Sequence, residues 1–295
     1  MKREGKVSFY GFINVDKPSG IVSSTVVNKI KWLSGAPCGH MGTLDPLASG
    51  VLPVGIGNAT RLFDYFLEKE KEYIAEFTFG VDSDTLDSTG TLVFGGAIPT
   101  ETAINAVLPN LLGDIMQIPP KYSAKNVNGK RGYDLARAGI EFELQPKKVH
   151  IYDIECLGKV EEKADTFRFK IRCGGGTYIR SLARDIAAAL GTKAVMSALR
   201  RTQSGVFNLN SAVPFSFLET DPTIEELEKY VIPTESVLPF ERLVLEEKNA
   251  EKIFHGLPVS ALNEKDGLYK LYQGDIFYGI AELKNGLAKA KTKLC

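Results

Sequence analysis

Between Gly39 and Val54 the chain reads GHMGTLDPLASGVLPV, and Asp45 stands there as the single carboxylate, with His40 its only titratable neighbour. A carboxylate acts as nucleophile or base only while ionised. Apolar surroundings push it towards the neutral acid unless a cation is close. The same Asp-Pro step is also the ordinary opening of a helix, with Asp as N-cap and Pro at the first helical position. Local chemistry leaves both readings open. A second candidate lies between Lys121 and Arg137, where Lys121, Lys125, Lys130, Arg131 and Arg137 are interleaved with Tyr122 and Tyr133. Cations for phosphates and rings for unstacked bases are what recognition of looped or single-stranded RNA uses. The plainer reading is a solvated, charged loop.

Other patterns carry less. Asp82, Asp84 and Asp87 imitate the start of a calcium loop, but no glycine or terminal glutamate falls at the required place. Gly174 to Gly176 precedes a helix without the lysine and hydroxyl order of a phosphate-binding loop, so a tight strand-to-helix turn is expected there. Cys38, Cys156, Cys173 and Cys295 show no CxxC spacing, and His40, His150 and His255 are far apart. Neither a metal site nor a disulfide framework is expected.

The 295 residues, 44% hydrophobic and 24% charged, suit a globular chain of one large domain and a small one, or of two medium domains. No apolar run approaches a membrane span, and the N-terminus lacks the apolar core of a signal peptide, so a cytoplasmic protein without a membrane partner is expected. Net charge is zero, but the charge is segregated. Lys121 to His150 holds seven Lys or Arg against three acids, Asp165 to Arg201 eight against two, and Glu219 to Glu251 ten acids against three bases. Such segregation can build a basic face on a neutral protein.

Several elements must position these groups. Gly11 to Lys17 reads as a strand leaving through a Pro-Ser-Gly turn, and Ser23 or Ser24 caps a helix through about Trp32. Val51 to Ile56 is a buried strand, and Asn58 caps a short helix through Phe66. Lys71 to Phe79 alternates as a strand, with Tyr73, Ala75 and Phe77 on one face. Pro99 to Leu112 is helical; Val149 to Leu157 and Phe167 to Cys173 are strands. From Thr177 to Gly191, Ile179, Leu182, Ala183, Ile186 and Leu190 recur at helical spacing. No regular strand-helix alternation appears, which predicts an α+β fold: a mixed, largely antiparallel sheet flanked by helices. The acidic stretch Glu219 to Pro239 marks a boundary, giving domains of 1–236 and 237–295. The second is β-rich, with turns at Asn263 to Gly267, Gln273-Gly274 and Asn285-Gly286.

The Gly39 to Val54 segment resembles the catalytic motif of the TruB family of pseudouridine synthases. The resemblance continues in Asn14-Val-Asp-Lys-Pro18, Lys71-Glu-Tyr73, Pro119-Pro-Lys-Tyr-Ser-Ala124, Gly176-Thr-Tyr-Ile-Arg180 and Ala198-Leu-Arg-Arg201. It covers Gly11 to Gly205 well and the remainder weakly. It implies the pseudouridine synthase fold, an RNA-gripping insertion at about 119–147, and a small PUA-like RNA-binding domain at the C-terminus. The implied reaction converts a uridine in the T-loop of tRNA, position 55, to pseudouridine by base flipping, without a cofactor. By the same resemblance Asp45 is the catalytic carboxylate, Arg180 keeps it ionised, and Tyr73 stacks on the uracil or acts on its C5 proton. His40 fills the vacated space or contacts a phosphate, Leu199 lines the uracil pocket, and Lys17 supports the active-site loop or holds a phosphate. Lys121, Tyr122, Lys125, Lys130, Arg131 and Arg137 grip the T stem-loop, with no obligate protein partner. The rival readings are an RNA-guided synthase of the same superfamily and a tRNA-folding chaperone without catalysis.

Overall fold

Strand β1 (Gly11–Lys17) is buried along almost its whole length, because both of its faces are covered. Ile13 and Val15 face a core shared with helix α1 (Ser23–Ser34), while Phe12 packs with Met41, Phe66 and Phe207 in a second cluster. The structure, a computed structural model, describes residues 10–294 apart from 68, 124, 125, 128, 262 and 263. After β1 come β2 (Cys38–His40), β3 (Ser49–Ile56), helix α2 (Phe63–Leu67), β4 (Lys71–Phe79) and the hairpin of β5 (Val81–Ser83) and β6 (Leu92–Phe94). Helix α3 (Glu101–Val107) leads to β7 (Gly113–Gln117), the short pair β8 (Asn126–Val127) and β9 (Lys130–Arg131), and α4 (Gly132–Arg137). The long strands β10 (Lys147–Lys159) and β11 (Thr166–Cys173) then run into α5 (Ile179–Ala189), β12 (Ala194–Ser204) and three short strands, β13 (Phe207–Asn208), β14 (Val213–Pro214) and β15 (Ile232–Pro233).

The main sheet has the order β14-β1-β3-β12-β4-β11-β10-β7, with β2, β13 and β15 on its flanks. Only the β1–β14 and β3–β12 pairs are parallel, so the sheet is mixed and largely antiparallel, as expected. On β4 the inward residues are buried, and Glu72 and Glu76 on the other face pair with Lys170 and Arg168 across the sheet at 3.2 and 2.9 Å.

Three expectations need correction. Asn58 does not cap a helix: a 3-10 turn, Gly57–Leu62, precedes α2, and the Asn58 amide donates instead to the Leu294 carbonyl at 2.9 Å. The helix expected from Pro99 ends early, at Val107, and continues only as a 3-10 turn, Leu108–Leu111, where Pro109 has no N–H to donate. Neither Ser23 nor Ser24 is a cap; α1 starts at Ser23 without a side-chain cap, and the Ser23 hydroxyl is committed elsewhere.

A five-stranded sheet follows, from Glu241–Leu245 through Val259–Ser260, Gly267–Gln273 and Ile276–Lys284 to Leu287–Lys293. Asn285 and Gly286 both take positive φ, 52° and 72°, as a tight Asn-Gly hairpin requires. Asn263 lies outside the described residues. Val237, Leu238, Ile280 and Leu294 join the Phe12 cluster, so this sheet packs against the main one.

Candidate active site

Asp45 does not open a helix. Its carbonyl accepts the Ala48 amide at 3.0 Å, closing a turn over Pro46 and Leu47 that leads into β3. The chain after β1 clamps this turn from one side. The Gly20 amide donates to the Pro46 carbonyl at 2.8 Å and the Ser19 hydroxyl to that of Leu47 at 2.7 Å. The Ser23 hydroxyl donates to the Leu44 carbonyl at 2.8 Å and accepts its amide at 2.9 Å. Lys17 is fully buried, and its ammonium donates to the carbonyls of Pro18 at 2.9 Å and Ile21 at 2.7 Å and reaches that of Pro46 at 3.5 Å. It therefore supports the loop and is closed to a phosphate.

Arg201 clamps the turn from the other side. It is buried on β12, and donates to the Val51 carbonyl at 2.7 Å and the Gly42 carbonyl at 3.0 Å. Its backbone runs so close to Gly50 that a Cβ there would lie 2.2 Å from the Arg201 carbonyl oxygen, and Gly50 has φ +99°. Gly50→Ala should cost on the order of 3 kcal/mol or more, read as a fall in denaturation midpoint. A stability equal to wild type would show that the β3–β12 approach is not tight.

From α5 the Arg180 side chain enters the same site. Its Nε lies 2.9 Å from Asp45 Oδ2, and its Nη1 lies 3.5 Å from Asp87 Oδ2 and donates to the Thr85 carbonyl at 2.9 Å. Its Nη2 donates to the Tyr122 carbonyl at 3.1 Å. Arg180 and Asp87 side chains are each 7% exposed, whereas Asp45 is 35% exposed and so open to a substrate. Asp87 is itself held by the Thr85 hydroxyl at 2.8 Å and the Thr89 amide at 3.0 Å. Sequence reasoning weighed Asp87 only as part of a false calcium loop and missed it as the second carboxylate on the arginine. Arg201 was equally missed as a site residue.

A cleft of about 280 Å³ opens beside the pair, walled by Leu44, Asp45, Tyr73, Arg180, Leu199 and Arg201 among others. That is close to the lower end of small-molecule sites. Tyr73 stands on β4 and Leu199 on the neighbouring β12, where it pairs with Ala75. Burial pushes the Tyr73 hydroxyl up to about 12, against the opposing pull of Arg201, so the phenol keeps its proton. Burial also lowers Lys17 and Lys71 to about 8 each; Asp45 opposes the shift at Lys17, and Arg201 adds to both. Between pH 8 and 10.5 the unfolded chain then holds protons that the folded chain has released, so these two lysines make stability rise with pH in that window. Their contribution is complete above 10.5 and lost as pH falls through 8. Denaturation midpoints of wild type and Lys71→Met across this range test it: the variant should show the shallower rise, and equal slopes would contradict the shift.

His40 ends β2, half-buried; burial first and Arg201 second disfavour its protonated form. It does not line the cleft among the described residues. Lys121 is exposed and Tyr122 half-buried at the root of the insertion, and Arg137 is exposed at the end of α4. Lys125 lies outside the described residues. Lys130 and Arg131 form β9 by their backbones, and their side chains are outside the description. The chain entering the insertion is tied to the start of α5 by further bonds: the Tyr178 amide donates to Gln117 Oε1 at 2.8 Å and the Ser181 hydroxyl to the Ile118 carbonyl at 2.8 Å.

Comparison with known proteins bears on this geometry. Residues 31–179 match the model of the TruB family pseudouridylate synthase N-terminal domain, and residues 180–239 that of the tRNA pseudouridylate synthase B C-terminal domain. The chain is 38% identical to a tRNA pseudouridine synthase B of Clostridium kluyveri, over 93% of this chain and 96% of that one. It is also 38% identical to that of Francisella philomiragia, over 96% and 94% of the two chains. Among solved structures, an H/ACA RNP bound to a substrate RNA containing 2'-deoxyuridine superposes with a TM-score of 0.69 at 25% identity, covering 97% of this chain and 85% of that one. A Cbf5-Nop10-Gar1 complex does so with a TM-score of 0.66 at 27% identity, covering 96% and 79%.

Proposed function

Because the chain belongs to the TruB family of pseudouridylate synthases, we propose that it converts uridine 55 in the T-loop of tRNA to pseudouridine. The observation that carries this reading is the half-open Asp45 carboxylate held at 2.9 Å by the buried Arg180, at the mouth of a cleft walled by Tyr73 and Leu199. The reaction breaks the bond from ribose C1′ to uracil N1, turns the base, and joins C1′ to C5. N1 gains a proton and C5 loses one, so no electrons are exchanged and no cofactor is needed. Attack by Asp45 on sugar or base, and removal of a ribose proton by it, all require the anion, which pairs with the Arg180 guanidinium at 2.9 Å.

A stacked uridine cannot reach this cleft, so the base is flipped out of the loop. Tyr73, neutral and on the cleft wall, is suited to stacking on the flipped uracil; a phenol that holds its proton is a poor base for C5. Leu199 packs against the uracil from the adjacent strand. Lys17 and Arg201 fix the Asp45 loop, and His40 is neutral packing beside it rather than a charge for phosphate. The insertion carries Lys121, Tyr122, Lys125, Lys130, Arg131 and Arg137 to the stem-loop and reads it by shape. We divide the chain into a catalytic unit, 1–236, and a small PUA-like RNA-binding module, 237–295, a division supported by the start of the second sheet at Glu241. Incubation with a tRNA transcript, then carbodiimide-dependent primer-extension stops, tests the site: a single new stop at T-loop position 55 is expected. A stop elsewhere, or none, would contradict it.

A further inference from the structure

A second, larger depression of about 640 Å³ adjoins the catalytic cleft and is unused by the reading above. The two share Gly176, the last residue of the glycine turn before α5. Gly176 has φ +83°, and a Cβ on it would stand 2.8 Å from Lys147 Nζ, so the ammonium lies directly on this turn. Lys147 joins no ion pair among the described residues, whereas Lys148 Nζ and His150 Nδ1 share Asp114, each at 2.7 Å. His150 and Tyr152 stand one beyond the other on β10, ring centroids 4.5 Å apart, and Tyr152 is 46% exposed in the groove wall. The groove is too large for an ion and has the size of small-molecule sites.

We propose that this groove seats the nucleotide adjoining the target uridine in the substrate RNA. The linking phosphate lies over Lys147 and Gly176, and the neighbouring base stacks on the exposed Tyr152 ring, which His150 backs at an inclination of 55°. The proposal rests on the tRNA reading above. Asp64 and Asp114 line the groove beside Lys147 and Lys148, but Lys147 is in no ion pair among the described residues, and at the boundary of two pockets it suits a phosphodiester whose two nucleosides occupy one pocket each. An aromatic face accepts any base, so the groove adds affinity rather than sequence choice. Asp114 fixes Lys148 and His150 in place and leaves Lys147 as the cation available to the phosphate.

Full-length Lys147→Ala, Lys147→Arg, Tyr152→Ala and Tyr152→Phe variants test this, with Kd for T-arm RNA measured by filter binding over a range of salt and steady-state kinetics of C5 tritium release. Tyr152→Ala should weaken binding about five- to a hundredfold, the range for losing one base stack, and Tyr152→Phe should restore it. Lys147→Ala should lower the slope of log Kd against log salt by about one contact's worth, and Lys147→Arg should restore the slope. In both alanine variants KM should rise more than kcat falls. Wild-type affinity and salt slope in both alanine variants would overturn the groove while leaving the catalytic reading intact. The binding arm needs no turnover, so a protein inactive on tRNA would sink the catalytic reading, while the affinity of Tyr152→Ala and the salt slope of Lys147→Ala would still decide the groove.

Discussion

Asp45→Asn should abolish pseudouridine formation, lowering kcat on the order of 10⁴-fold or more, while the protein still folds and binds T-arm RNA. The amide is the same shape as the carboxylate and can accept from Arg180 Nε through its oxygen, so the loop held by Lys17, Ser19, Ser23 and Arg201 has no reason to move. Arg180 also keeps Asp87 as a charged partner, which leaves the buried guanidinium compensated. What is lost is the negative charge of Asp45, and with it the nucleophile or base. Single-turnover tritium release and filter binding on the same preparation separate the two effects. Release within tenfold of wild type would mean that Asp45 does not carry the chemistry. A variant that binds but does not turn over also isolates any RNA-folding role, because whatever activity survives it is chaperoning.

Arg180→Lys should be the next most damaging change, with kcat falling about 10²- to 10³-fold, the usual scale for removing one preorganised electrostatic partner. The charge is conserved, but the geometry is not. Arg180 serves Asp45, Asp87, Thr85 and Tyr122 from one planar group, and an ammonium on a shorter fork cannot reach carboxylates on two sides at once. One carboxylate is then left underpaired, and Asp87, the more buried, competes best for the charge. Asp87→Asn should act in the same direction through Arg180, with a smaller loss in kcat and little change in KM. If Arg180→Lys retained wild-type kcat, charge alone would suffice and the fork would be irrelevant. The Tyr122 contact gives Arg180 a further role, since it joins the Asp45 loop to the root of the basic insertion.

Much of this arrangement is legible in the sequence, and the exceptions have physical causes. β1 and β4 follow the expected bounds because each ends at a Gly or Pro turn, and β4 alternates cleanly between its faces. β12 escaped the reading along the chain: register shifts between Met196 and Ala198 and between Arg201 and Gln203 break its alternation, and two arginines sit in its middle. For the same reason Arg201 did not stand out, since a buried arginine looks like any surface arginine until its carbonyl partners are known. Asp45-Pro46 obeys the rules of a helix start, but the clamp from Gly20, Ser19 and Ser23 turns the chain into β3 instead. Asp87 meets Arg180 only across the fold, and local spacing pointed to a calcium loop. A hydrogen-bonding set of Thr85 and Thr89 around one aspartate was the signal that could have marked it.

The most direct test is tritium release from a tRNA transcript labelled at uridine C5, with wild type and Asp45→Asn side by side. Release by wild type alone, from one T-loop uridine, is the predicted result. A well-folded wild type that binds tRNA and releases no tritium would contradict the account.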